Sequence, residues 1–235
     1  MRSNFILFGW IHWLILLSIP AFAAAASWVT RQVPAQGKYH RWVFGGLLLV
    51  NELIYYGYKA SKHWFQFPAG LPLQLCDLIV WLTVIAALTL WQAPFEFAFF
   101  TGLVGTSMAV LTPDLWDPFP SYPTIYFFLA HGGIVSLLLY LWWSGQAKPK
   151  PGSVWRVMLM LNGYAVTIGL FNWLFSTNYM YLCRKPSGAS LLDYFGPWPV
   201  YLLGGELLAF AFFSLLAWPF RRHAGTASPA TQSMQ

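Results

Sequence analysis

The sequence predicts an all-α membrane protein built as a bundle of seven transmembrane helices, and three observations carry that expectation. Only 9% of the 235 residues are charged while 58% are hydrophobic, against roughly 25% charged in an ordinary soluble domain. The apolar residues stand in long blocks and not in the period-2 or period-3.6 stripes of a soluble fold. Aromatic residues reach 20%, with 14 Trp, and Trp and Tyr favour the membrane–water interface, where ring and polar tip are both satisfied.

Crossing a ~30 Å hydrocarbon layer takes about 20 mostly apolar residues. Seven stretches qualify, at roughly 4–26, 41–58, 71–91, 94–112, 122–144, 154–175 and 199–220. The first opens on Arg2, an apolar run and the small residues Ala21–Ala26, which together imitate a cleavable signal. Trp10, His12 and Trp13 are foreign to a signal core, so this segment is expected to stay as the first span. A tight turn near Pro94 separates the third and fourth spans. The segment Leu111–Pro123 (LTPDLWDPFPSYP) carries four prolines, which enforce a stiff, non-helical connection. A short polar link, Gly145–Gly152, joins the fifth and sixth spans. The longest connection, Ser176–Trp198, is too aromatic for a plain linker and is expected to fold over one mouth of the bundle. Residues 1–220 form a single domain on this reading, and residues 221–235 form a disordered cytoplasmic tail.

The net charge of +6 would suit nucleic acid if it were gathered on one face. The cations are instead scattered over short loops, so no nucleic-acid partner is expected and the charges serve as topology signals. Five fall on the N-terminal side (Arg2, Lys59, Lys62, Arg184, Lys185) and eight on the other (Arg31, Lys38, Arg41, Lys148, Lys150, Arg156, Arg221, Arg222). The N-terminus is therefore expected outside and the C-terminus inside.

Polar side chains in the bilayer core cost a few kcal/mol each and need a reason. Counted at ~1.5 Å per residue from the outer end of each expected span, His12 lies ~12 Å deep, Cys76 ~8 Å, His131 ~14 Å, Glu206 ~10 Å and Glu52 ~9 Å. Five helices thus place a reactive or ionisable group in the same half of the membrane, which predicts one polar chamber opening toward the outer leaflet. Each residue has a plainer role open to it. His12 can bond a neighbouring backbone, Glu206 after Gly204 and Gly205 can serve packing, and Glu96 at a helix start is favoured by the dipole. Gly132 and Gly133 let a helix or a lipid chain approach His131. Asp77, next to Cys76, points elsewhere on the helix.

A thiol beside an imidazole is a nucleophile in waiting, because the ring takes the proton and the thiolate attacks a carbonyl. Cys76 and His131 enter the membrane from the same side. Glu52, His12 or Asn172 are candidates to orient the imidazole, and Gln74 or a backbone N–H to hold the oxyanion. Cys183 offers a rival arrangement, a structural disulfide with Cys76. Neither a metal nor a cofactor is expected. A retinal chromophore is excluded, since 199–220 contains no Lys.

The motifs FILFGWIH (Phe5–His12), LPLQLCD (Leu71–Asp77), LTPDL (Leu111–Leu115), AHGG (Ala130–Gly133), NYMYLCRKP (Asn178–Pro186) and SLLDYFGPWP (Ser190–Pro199) resemble, in this order, the YwaF family of bacterial membrane proteins, which is related to eukaryotic transmembrane protein 164. The resemblance implies a seven-helix bundle in the bacterial plasma membrane. It also implies a lipid acyltransferase or acyl hydrolase using a cysteine and a histidine, at the positions of Cys76 and His131, with a membrane phospholipid or lysophospholipid as partner. The alternative from the residues alone is a protein that binds or transports a small polar ligand in the same chamber.

Overall fold

The computed structural model describes residues 5–115, 117–186, 188 and 190–221. It holds seven helices: α1 (Trp10–Gln32), α2 (Gly37–Ser61), α3 (Leu75–Thr89), α4 (Gln92–Leu111), α5 (Tyr122–Trp143), α6 (Ser153–Phe175) and α7 (Val200–Arg221). There is no strand among the described residues. Five helices, α1 and α4 to α7, are long and apolar enough to cross a membrane, so the chain is a multi-pass helical membrane protein. The proposed tail lies outside the described residues from 222 onward.

The two remaining helices are short or polar for identifiable reasons. α3 has 15 residues, hence ~22 Å, because Pro72 and the capping residue Gln74 postpone its start. α2 has 25 residues but turns a polar face inward. On that face Arg41 donates to the carbonyls of Ala87 and Leu88 at 2.6 and 2.9 Å, at the negative end of the α3 dipole. Glu52 sits fully buried against α5.

The first span runs from Trp10 to Gln32, and not from 4 to 26. Composition turns polar after Ala26, but the late polar residues find partners inside the bundle. Thr30 bonds His40 Nδ1 at 2.8 Å and the Tyr140 hydroxyl at 3.1 Å, so the helix continues past the apolar block. Between α3 and α4 the turn is made by Leu90, with φ of 57°, and Trp91. Pro94 lies in the first turn of α4, where its missing N–H costs nothing.

α5 is the central helix and packs on α1, α2, α3 and α4. α4 is enclosed over its first half. Phe95, Phe97, Ala98, Phe99 and Phe100 are buried, and a π-helical turn spans Ala98–Gly102. Gly102 makes this possible, since an added Cβ would sit 2.9 Å from Leu138 Cδ1. Gly132 and Gly133 serve the same purpose toward α1 and α2, where added Cβ atoms would meet Ile19 at 3.1 Å and Leu48 at 3.2 Å. Near the start of α4, buried Glu96 accepts from Arg156 Nε at 3.0 Å and Nη2 at 2.8 Å, and from the Lys150 N–H at 2.9 Å. That carboxylate is a structural clamp between α4 and α6.

Candidate functional site

The long connection after α6 does fold back over one mouth of the bundle, and it does so through Asn172. This residue, in the last turn of α6, donates to the Tyr179 carbonyl at 2.9 Å. It accepts from the Tyr179 N–H at 2.9 Å and the Thr177 hydroxyl at 2.7 Å. Tyr179, thereby fixed, donates its hydroxyl to the Pro68 carbonyl at 2.8 Å and accepts the Leu71 N–H at 2.9 Å. Burial pushes this phenol up from its ordinary value, which keeps it a donor. The Met180 N–H donates to Gln74 Oε1 at 2.9 Å. Asp77 Oδ2 accepts the Gln74 N–H at 2.9 Å and so closes the first turn of α3. The start of α3, which carries Cys76, is therefore held from two sides.

Beneath these loops lies a cavity of about 680 Å³. Gln74, Cys76 and Asp77 line it from α3, Tyr55 and Lys59 from α2, and Tyr126 and His131 from α5. Tyr179 and the connection residues Asp114 and Asp117 complete it. The Tyr55 and Tyr126 rings stack 3.5 Å apart at 10° and form one flat wall. Three carboxylates against Lys59 and His131 give the mouth an acidic bias.

Cys76 is the second residue of α3, where backbone N–H groups have no acceptor within the helix. It is half-buried. Its thiol is free, as is that of exposed Cys183, so no disulfide joins them. Cys76 belongs to the first turn of the helix and Cys183 to the loop. His131 Nδ1 lies 2.8 Å from the Phe127 carbonyl. A carbonyl only accepts, so Nδ1 carries the hydrogen and Nε2 keeps its lone pair. Cys76 and His131 share the cavity without a direct hydrogen bond between them.

Of the other candidates Gln74 lines the cavity, and His12, Glu52, Asn172 and Glu206 do not. His12 is two residues into α1, ~3 Å from its start, because that helix begins at Trp10. Its Nδ1 accepts the Phe8 N–H at 2.9 Å, and Nε2 bonds the Val110 carbonyl at 2.8 Å, which ties α1 to the end of α4. Glu206 accepts from Asn162 Nδ2 at 2.9 Å and joins α6 to α7. Gly204 admits Phe195 of the loop, whose Cγ would lie 2.5 Å from an added Cβ. Glu52 Oε2 accepts from the Tyr126 hydroxyl at 2.6 Å, not from His131. Asn172 is engaged in the loop, and the Gln74 carbonyl oxygen is occupied by Met180. The single five-helix chamber is thus corrected to a cavity of α2, α3 and α5. Helix ends are not membrane surfaces, so depth counted along one helix does not transfer to the next.

Sequence reasoning passed over Tyr55, Tyr126 and Tyr179, although Tyr179 stands inside the NYMYLCRKP motif. Asp114, inside LTPDL, was equally visible. Among the described residues no cluster of His, Cys, Asp and Glu could hold a metal ion.

No curated protein and no solved structure matches the chain. A family model does, over residues 7–217, which takes in six helices whole, most of α7 and every wall of the cavity. The chain belongs to the TMEM164 family.

Proposed function

We propose that this membrane protein is a lipid acyltransferase or acyl hydrolase that works through Cys76. The supporting observation is that Cys76 and His131 line one cavity, with the imidazole held by Phe127 so that Nε2 is its free basic atom. In this reading Nε2 takes the thiol proton and Sγ attacks the ester carbonyl of a phospholipid acyl chain. The S–C bond forms, the ester C–O bond breaks, and His131 returns the proton to the departing lysolipid oxygen. A lysolipid hydroxyl or a water then gives its proton to Nε2 and takes the acyl group, and the thiol is regenerated. The first-turn N–H groups of α3 at Leu75 and Cys76 are the natural oxyanion donors. Substrate or one water closes the gap between thiol and imidazole, since catalytic hydrogen bonds tighten in the complex. The Lys and Arg distribution supports a cavity facing the outer leaflet.

A second reading, binding or transport of a small polar ligand, draws on the missing thiol–imidazole hydrogen bond and the acidic mouth. Labelling with a lipid-like thioester separates the two. Covalent acyl transfer to the wild-type protein, lost in Cys76→Ala and strongly slowed in His131→Ala, is the expected result. Equal labelling of all three proteins would sink the acyl-enzyme.

A further inference from the structure

Glu52 is a buried ionisable group for which the acyl-transfer scheme has no use. It is 1% exposed. Its Oε2 makes the 2.6 Å bond with the Tyr126 hydroxyl, while its Oε1 is buried and has no hydrogen-bond partner. Tyr56 stands close to the carboxyl and accepts from Trp81 Nε1 at 3.1 Å, but makes no bond to Oε1. Ion pairs among the described residues join Glu96 to Arg156 and Asp193 to Lys185, so no cation is paired with Glu52. Lys59, on the same helix, lies seven residues and ~10 Å further along.

An ionised carboxyl here would keep one oxygen bare inside a membrane bundle, and a buried charge without a partner neutralises instead. The proton has two places to sit. On Oε1 it would be a buried hydrogen with no acceptor. On Oε2 it lies within the 2.6 Å bond, which forms with the hydrogen on either oxygen. The bare Oε1 is then the carbonyl oxygen of a neutral acid, which is less costly to leave unpaired than a charged one. In that arrangement the carboxyl donates to the phenol, and the Tyr126 hydrogen is released from Glu52.

The Tyr126 ring is held flat against Tyr55, 3.5 Å away at 10°, and lines the cavity with Cys76 and His131. Tyr126, Phe127, Ala130, His131 and Ile134 form the cavity face of α5. Tyr126 and His131 stand ~7.5 Å apart along its axis, and Cys76 comes from α3. Nucleophile, base and phenol therefore reach one space from three directions.

We propose that Tyr126 is an oxyanion donor of the Cys76 reaction and that Glu52 is its positioning residue, a neutral acid that donates to the phenol oxygen and turns the phenol hydrogen into the cavity. This rests on the acyl-transfer reading. As Sγ bonds the carbonyl carbon, the carbonyl π pair moves onto oxygen. That oxygen accepts from the Tyr126 hydroxyl and the first-turn N–H groups of α3 until the ester C–O bond breaks. No proton is transferred at Tyr126. A phenol that itself accepts a hydrogen bond donates more strongly, whereas a carboxylate would hold the phenol hydrogen for itself.

The test uses the full chain in nanodiscs and single-turnover labelling of Cys76 by a palmitoyl thioester. Tyr126→Phe keeps the stack on Tyr55 and removes the hydroxyl. It should lower the maximal labelling rate by about 10²–10³-fold and leave the half-saturating thioester concentration unchanged. Glu52→Gln, whose amide can donate to the phenol from the same place, should stay near the wild-type rate, and Glu52→Leu should be slower. Infrared spectra should show the C=O stretch of a protonated carboxyl that is missing in Glu52→Gln. A wild-type rate in Tyr126→Phe overturns the catalytic role. Absence of that infrared band, or faster labelling in Glu52→Leu, overturns the neutral carboxyl. Wild-type protein that takes no label removes the acyl-transfer reading and Tyr126's role with it, while the infrared band still decides the state of Glu52.

Discussion

His131 gives its Nδ1 hydrogen to the carbonyl of Phe127, one turn earlier on α5, at 2.8 Å, and the two rings pack 4.3 Å apart. The imidazole is thus oriented by its own helix, without a carboxylate. Positioned proton transfer contributes typically 10²–10⁴-fold to a rate. Replacing His131 with Gln, which preserves a donor but no basic nitrogen, is expected to slow thioester labelling of Cys76 by about that factor and to leave the melting temperature unchanged. Time-resolved labelling with a parallel thermal melt measures both.

Tyr179 joins the loop after α6 to Pro68 and Leu71, just ahead of the Cys76 helix. Tyr179→Phe removes one donor and one acceptor and leaves two backbone groups unpaired, at about 1–3 kcal/mol in total. Hydrogen exchange across residues 62–74 should rise, while α5 keeps its protection. Unchanged exchange there would show that the two loops are held independently.

The Glu96 clamp is asymmetric, since the carboxylate is buried and the Arg156 side chain is 48% exposed. Removing the cation strands a buried charge. Arg156→Ala should therefore destabilise by about 3 kcal/mol, the low end of what breaking a buried pair costs. Glu96→Gln in the same background should recover part of the loss. Thermal melts of the three variants in one detergent decide it.

Gly204 has Phe195 of the loop against it, closer than any Cβ tolerates. Gly204→Ala must displace that ring and should cost ~1–3 kcal/mol by overpacking. Gly205, with open space at its Cβ, should accept Ala without loss. Paired melting curves of the two variants give the comparison.

Asp193 accepts the Ser190 N–H at 2.8 Å and lies 3.6 Å from Lys185. First that backbone bond, then the lysine, hold its carboxyl below the usual carboxylate range. A depressed folded value means that the stabilisation is present above the unfolded value, ~3.9, and is lost as pH falls through the folded one. Exchange protection of the Leu191–Phe195 turn, corrected for intrinsic rates, should fall on acidification below about pH 4. In Asp193→Asn that protection should be low and independent of pH.

Much of the fold was legible because hydrocarbon demands it. An apolar block of the right length has few options in a bilayer, and the centres of seven helices followed from that. Boundaries were not, where polar residues near helix ends found partners from afar. Thr30 continues α1 because His40 and Tyr140 receive it, and nothing near position 30 announces this. The site was half visible. Cys76 and His131 drew notice as uncommon groups, while Tyr126 passed as one aromatic among many.

What the sequence determined by itself was the class of molecule, since its hydropathy blocks leave one solvent for most of the chain. The tertiary structure alone decided which polar groups meet. Glu52 finds Tyr126 at 74 residues' separation and His12 finds Val110 at 98. In lipid every such group must have a partner. That rule says a partner exists, and only packing, which sets the depth and rotation of each helix, says which one.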